Sequence, residues 1–317
     1  MILLEAGTGD VQLVGVSHEC DYPPLLVENL PQLTSSTIKF TSSAAVDTQV
    51  REHLATGAGL YAVDKEKLDE LRPDVIVTQS LCKVCSVDYC VVEQLAAGMA
   101  LRPTLVDTNP QSLAEVLDDL VRVGRALNLE NEALAVRRKF EARIHAVQQG
   151  VVSVQRHHPG GPRACPSVVV LEWTDPMFVG GHWTPQLVSI AGGRHPLNPG
   201  TVAGGAGAST TVTAEALCQS EPDIIVIAPC GLDLEKTIQE SKVLMDASWW
   251  AGLKAVKSGA VYFVDGNQMF SRPGPRLVDA LEWLATIIHG DARVQVQGGV
   301  ETFPALRLDD CSLKRPL

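Results

Sequence analysis

From Ser112 to Gln155, apolar residues return at helical spacing: Leu113, Val116, Leu117, Leu120, Val123, Leu127, Leu134, Val136, Phe140, Ile144 and Val147. Gly124 and Asn128 interrupt the pattern only mildly. A helix of about 40 residues extends about 60 Å at 1.5 Å per residue, long enough to run across two packed bodies. The stretch therefore reads as a rigid spine around which the remaining chain is arranged.

The flanks repeat one grammar. Leu68 to Gln79 reads as a helix end, a Pro-Asp turn and a β-branched strand, and Ala216 to Ala228 repeats it half a chain later. At 317 residues the chain also exceeds the size at which one core stops growing. These observations predict an α/β protein of two Rossmann-like lobes bridged by one long helix. The expected boundaries are an N-terminal lobe over 1–112, the bridging helix over 113–156, a C-terminal lobe over 165–290 and a tail over 291–317. His157 to Arg163 is a loop by its Gly and Pro content. The second lobe then alternates strand Val168 to Leu171, helix Pro185 to Ala191, strand Ile224 to Ala228, helix Asp233 to Leu244, strand Val261 to Val264 and helix Arg276 to Ile288. The tail lacks periodicity and is expected to be a surface extension.

Charge and hydropathy exclude several classes. The net charge of -11 and the lack of a basic patch argue against nucleic acid. No apolar run approaches the ~20 residues of a membrane helix. The first residues carry no basic start followed by an apolar stretch, so a cytoplasmic location is expected. Eight cysteines spread over so long a chain fit free thiols better than a disulfide framework. No serine nucleophile elbow, His-Glu-x-x-His helix or dinucleotide fingerprint occurs, which disfavours an ordinary hydrolase or dehydrogenase.

Four constellations can carry chemistry. Ser17-His18-Glu19-Cys20-Asp21 follows a short strand expected over Leu13 to Val16, where α/β proteins present side chains to a crevice. Cys82 and Cys85 follow the strand Val75 to Thr78, and two cysteines with two residues between them can share a zinc ion at about 2.3 Å or form a strained, reducible disulfide. With His18, Glu19 and Cys20 they form a candidate site for zinc or another transition metal; cleft-lining thiols without metal are the competing interpretation. Glu172-Trp173-Thr174-Asp175 and Gly181-His182-Trp183 follow the second lobe's first strand. Trp173, Phe178 and Trp183 offer flat apolar area for a planar macrocycle, and His182 offers an imidazole; a buried lobe core with His182 as a helix cap is the competing interpretation. Finally, Phe270, Arg272 and Arg276 border a Pro-Gly-Pro turn, where an arginine can hold a ligand oxygen or pair with Asp265 or Asp279. The cluster Gly200 to Gly207 lacks the ending of a phosphate loop and reads as a flexible loop.

Several segments together resemble the binding proteins that deliver cobalamin and iron-siderophores to ABC transporters, in particular the branch described as cobalamin-binding. They are Val14 to Pro24, Val46 to Arg51, Thr78 to Cys85, Glu172 to Pro176, Gly181 to Pro185 and Arg272 to Arg276. The resemblance implies a class III periplasmic-binding-protein-like architecture with a ligand clamped between the lobes. Family members normally open with a further strand and a secretion signal, so the first lobe's sheet is expected to be one strand short. The leading expectation is a non-catalytic protein that clamps cobalamin, another corrinoid or a tetrapyrrole-like metal chelate, using Tyr22, Glu172, Trp173, Asp175, His182, Trp183, Phe270, Arg272 and Arg276. The rival is an intracellular metal-binding protein or metal-dependent enzyme using the His18 and Cys82 groups with Glu172 as base; a scaffold that binds a protein partner is the third reading.

Overall fold

The computed structural model describes residues 2–3, 7, 9, 11–80, 87, 89–156, 165–290, 305–309 and 312–316. The chain divides into two compact units, one of Met1–Pro110 and Leu117–Arg137, the other of Gln111–Val116 and Arg138–Leu317.

The stretch expected as one helix over 113–156 is two helices, α2 (Leu113–Ala126) and α3 (Glu130–Arg156), counting Ser43–Thr56 as α1. Asn128 sits at φ 58 and ends α2, and the Leu129 N–H returns to the Gly124 carbonyl at 2.7 Å. A side-chain carbon on Gly124 would lie 2.4 Å from the Ala133 Cβ, so this glycine lets the two helices meet at the corner. Both helices carry the chain between the units: α2 passes from the second to the first at Val116 and Leu117, and α3, about 40 Å long for its 27 residues, returns to the second at Arg137 and Arg138.

In the first unit, β1 (Thr34–Ser36) pairs antiparallel with β2 (Tyr61–Val63), and β3 (Val75–Gln79) pairs parallel with β4 (Thr104–Thr108). Helix α1 is capped at its start by the Ser42 side chain, which accepts from the Ala45 N–H, and stops at Gly57 with φ 70. The strand expected over Leu13 to Val16 reduces to a single bridge between Val16 and Gln32.

The second unit is built on one seven-stranded sheet in the order β11-β10-β9-β8-β5-β6-β7. Its centre is parallel: β5 (Val168–Thr174), β8 (Ile224–Ile227) and β9 (Val261–Val264). All residues of β8 and β9 are buried, as unbroken apolar runs require when both faces of a sheet are covered. Antiparallel β6 (Met177–Val179) and β7 (Thr210–Thr211) extend one side. On the other side, β10 (Ala305–Asp309) pairs with β9, and β11 (Ser312–Pro316) pairs with β10. Residues expected as a surface tail thus supply two strands, and buried Ala305 and Leu308 extend the core. The helix expected over Asp233 to Leu244 is interrupted at Ser241, giving Leu234–Glu240 and Lys242–Met245. Helix α4 (Thr184–Ile190) lies against α5 (Arg276–His289). Arg143 of α3 bonds Glu282 of α5 at 2.9 Å and also reaches Asp279, anchoring the second half of the bridging helix.

Candidate functional site

Because β5, β8 and β9 are parallel, their C-terminal ends lie on one edge of the second unit's sheet, the edge where α/β folds present side chains. The loops leaving that edge are tied together. The Cys230 N–H donates to the Glu172 carbonyl at 3.0 Å, and the Asn267 N–H donates to the Leu232 carbonyl at 3.2 Å.

β5 runs past Leu171 to Thr174, so Glu172 and Trp173 are strand residues, both half-buried, with Trp173 opposite Phe178 of β6. Asp175 is exposed in the turn that follows. Gly180 and Gly181 then lead to His182, which adopts φ 52, a left-handed conformation uncommon for residues other than glycine. Both of its backbone groups are held: the N–H donates to the Gly207 carbonyl at 2.9 Å, and the carbonyl accepts from the Ala206 N–H at 2.7 Å. A side-chain carbon on Gly181 would lie 2.3 Å from the Ser209 nitrogen, and one on Gly205 would lie 2.1 Å from the Gln111 carbonyl oxygen. Gly205, within the glycine cluster read from sequence as a flexible loop, is therefore a close-packed position.

The His182 ring is half-buried, with Nδ1 2.8 Å from Gln111 Oε1 and its plane tilted on Trp183 at 5.7 Å. Burial lowers its pKa, favouring the neutral imidazole. Trp183 is only 4% exposed, and its indole N–H donates to the Phe270 carbonyl at 2.6 Å. Phe270, at φ 69 and 3% exposed, packs edge-on against Trp283. These two aromatic rings thus support the loops from within the second unit. Arg272 binds Asn267 Oδ1, while Asp265 accepts from Gln268 and Asp279 is engaged by Arg143. Arg276 is half-buried at the first position of α5.

In the first unit, His18 Nδ1 lies 2.6 Å from Thr34 Oγ1, its ring is 5.6 Å from Tyr61, and Nε2 is 3.5 Å from the Glu19 carboxylate. Cys20 is exposed and its sulfur accepts from the Ser17 hydroxyl, while Tyr22 is half-buried. Cys82 and Cys85 lie outside the described residues. Among the described residues, no three His, Cys, Asp or Glu side chains gather closely enough to hold a metal ion.

Sequence reasoning missed Gln111, Gly205 and Thr34. Gln111 left one local trace: Ser112 and Glu115 have capping-box spacing, with Ser112 accepting from the Glu115 N–H and Glu115 accepting from the Gln111 N–H at 2.8 Å.

The sequence profile of a family described as periplasmic binding protein matches residues 3–267. Among solved structures, the chain is similar to a periplasmic heme binding protein from Pseudomonas aeruginosa, with a TM-score of 0.65 at 20% identity over 94% of this chain and 91% of that one. An ABC transporter substrate-binding protein from Listeria monocytogenes gives a TM-score of 0.63 at 18% identity over 92% and 95%. The periplasmic vitamin B12 binding protein BtuF of Vibrio cholerae gives 0.60 at 20% identity over 90% and 91%. A comparison with curated protein sequences found no match.

Proposed function

The chain belongs to the periplasmic binding protein family, and from that premise we propose that it is a substrate-binding protein for a metal held in a planar macrocycle, of the corrinoid or tetrapyrrole kind. The observation that carries this reading is His182: a half-buried imidazole, kept neutral by burial, on the strand-end loop of the second unit, whose Nδ1 is engaged by Gln111 and whose Nε2 has no hydrogen-bond partner among the described residues. Trp173 on the neighbouring strand adds flat apolar surface of the type macrocycles favour. The heme and vitamin B12 binders of similar fold point to the same ligand chemistry, since each of those molecules carries a metal in a planar ring. On this reading the protein binds and releases its cargo unchanged, and hands it to a membrane transporter. The family's periplasmic description lends no support to the cytoplasmic location expected from the first residues. No described helix is long and apolar enough to cross a membrane.

The test is a titration of the purified full chain with ferric protoporphyrin IX, aquocobalamin and ferrichrome in turn, followed by visible absorption and calorimetry. Saturable binding of one macrocycle, with a shifted visible band, is expected. Ferrichrome binding alone would move the proposal to siderophores, and no binding of any of the three would end it.

A further inference from the structure

Gln111 and His182 are 71 residues apart in sequence and meet at one hydrogen bond of 2.8 Å. An amide oxygen can only accept, so the Oε1 contact requires hydrogen on His182 Nδ1. A neutral imidazole carries one hydrogen, and its other nitrogen is then a bare lone pair. We propose that Gln111 is a positioning residue that selects the Nδ1–H tautomer of His182 and so presents Nε2 as the atom that coordinates a ligand's metal at an exchangeable axial position.

The surroundings of Gln111 hold it firmly enough for this role. Its backbone N–H donates to Glu115 Oε2 at 2.8 Å, and the Leu113 N–H donates to Gln186 Oε1 at 2.8 Å. Gln186 is itself buried and donates to the Val202 carbonyl at 3.2 Å. From the other side, Gly205 packs against the carbonyl oxygens of both Gln111 and His182, where any side chain would collide. The left-handed backbone of His182 is thus maintained by contacts on both sides, as strained residues at functional positions require. Outer partners that fix ring orientation and tautomer are a general feature of histidines that bind metal.

The tautomer follows from the geometry alone, whereas its use on a ligand rests on the binding-protein reading above; the experiment separates them. Long-range proton–nitrogen correlation spectra of the ligand-free, 15N-histidine-labelled full chain should show His182 protonated at Nδ1. Gln111→Glu keeps an acceptor and should keep that pattern, while Gln111→Met should shift the ring toward Nε2–H; unchanged thermal melting of both variants excludes a folding defect. A wild-type ring protonated at Nε2, or no change in Gln111→Met, would overturn the positioning role. In the second arm, ferric protoporphyrin IX should give an imidazole-ligated absorption spectrum that His182→Ala abolishes. Gln111→Met should weaken its binding by about tenfold or more, with Gln111→Glu rescuing it. Identical spectra for wild type and His182→Ala would overturn coordination by Nε2, and absence of porphyrin binding would overturn the macrocycle reading while leaving the tautomer result standing.

Discussion

The two units bury their strands differently. In the second, every residue of β8 and β9 is buried and β5 has only two half-buried ones. In the first, none of the residues of β3 is buried, and Val77 at its middle is 50% exposed. The same unit exposes Leu13, Leu25, Phe40, Leu54, Val91 and Leu101, whereas among the described residues of the second the large exposed hydrophobics are Val152, Val202 and Val243. Since apolar burial is the main favourable contribution to folding, the contrast assigns the stable platform to the second unit and the more easily opened structure to the first.

Core truncation gives the sharpest contrast. Phe263, fully buried in β9, should cost about 3–5 kcal/mol when replaced by alanine, read from urea unfolding. A cost under about 1 kcal/mol would break the assignment of the platform. Next is the anchor between α3 and α5. Burial opposes the charge on Arg143, yet its hydrogen bonds to Glu282 and Asp279 outweigh that and raise its pKa. Arg143→Met leaves both carboxylates without this partner, Glu282 at 2% side-chain exposure, and should cost about 3–5 kcal/mol. Adding Glu282→Gln should recover part of the loss, which a purely steric defect would not.

The second unit should also carry an acid sensitivity. Burial pushes His195 down to about 4, and at 1% exposure it accepts the Val170 N–H at 3.1 Å through Nε2, which requires the neutral ring. The unfolded chain takes up this proton near pH ~6.5, so its contribution to stability is full above that value and is lost as pH falls toward about 4. The loss should reach about 3 kcal/mol, measured as a fall in the urea midpoint between pH 7 and pH 4.5 that His195→Gln flattens. The smallest effect belongs to the first unit: Val77→Thr, on the exposed strand, should change stability by under about 0.5 kcal/mol. A larger loss would show that β3 is covered in solution. Hydrogen exchange would refine the comparison by showing whether β3 and β4 amides exchange before those of β8.

Much of this was readable from local pattern. Val168 to Leu171, Ile224 to Ile227 and Val261 to Val264 announced buried strands because runs of β-branched and aromatic residues favour extended backbone and their lack of alternation requires cover on both faces. The end of α2 was not readable, since leucines continue the apolar spacing past Asn128 and only the close fit of Gly124 against Ala133 makes the corner favourable. The tail strands escaped for a related reason: β10 is held by pairing with β9, about 40 residues earlier in the chain, and not by its own periodicity. Among the candidate ligand residues, the aromatic composition of the Glu172 to Trp183 segment was visible, but its division into half-buried Trp173 and buried Trp183 depended on packing.

The central elements of the second unit, β5, α4, β8, β9 and α5, their order and the membership of His182 in a strand-end loop follow from the sequence alone, because periodicity and turn chemistry act within a few residues. Tertiary structure decided which loops met: it set Gln111 against His182, placed Gly205 between their backbones and added β10 to β9. Such contacts join residues tens of positions apart, so they depend on the order in which strands enter the sheet, and no local pattern encodes that order.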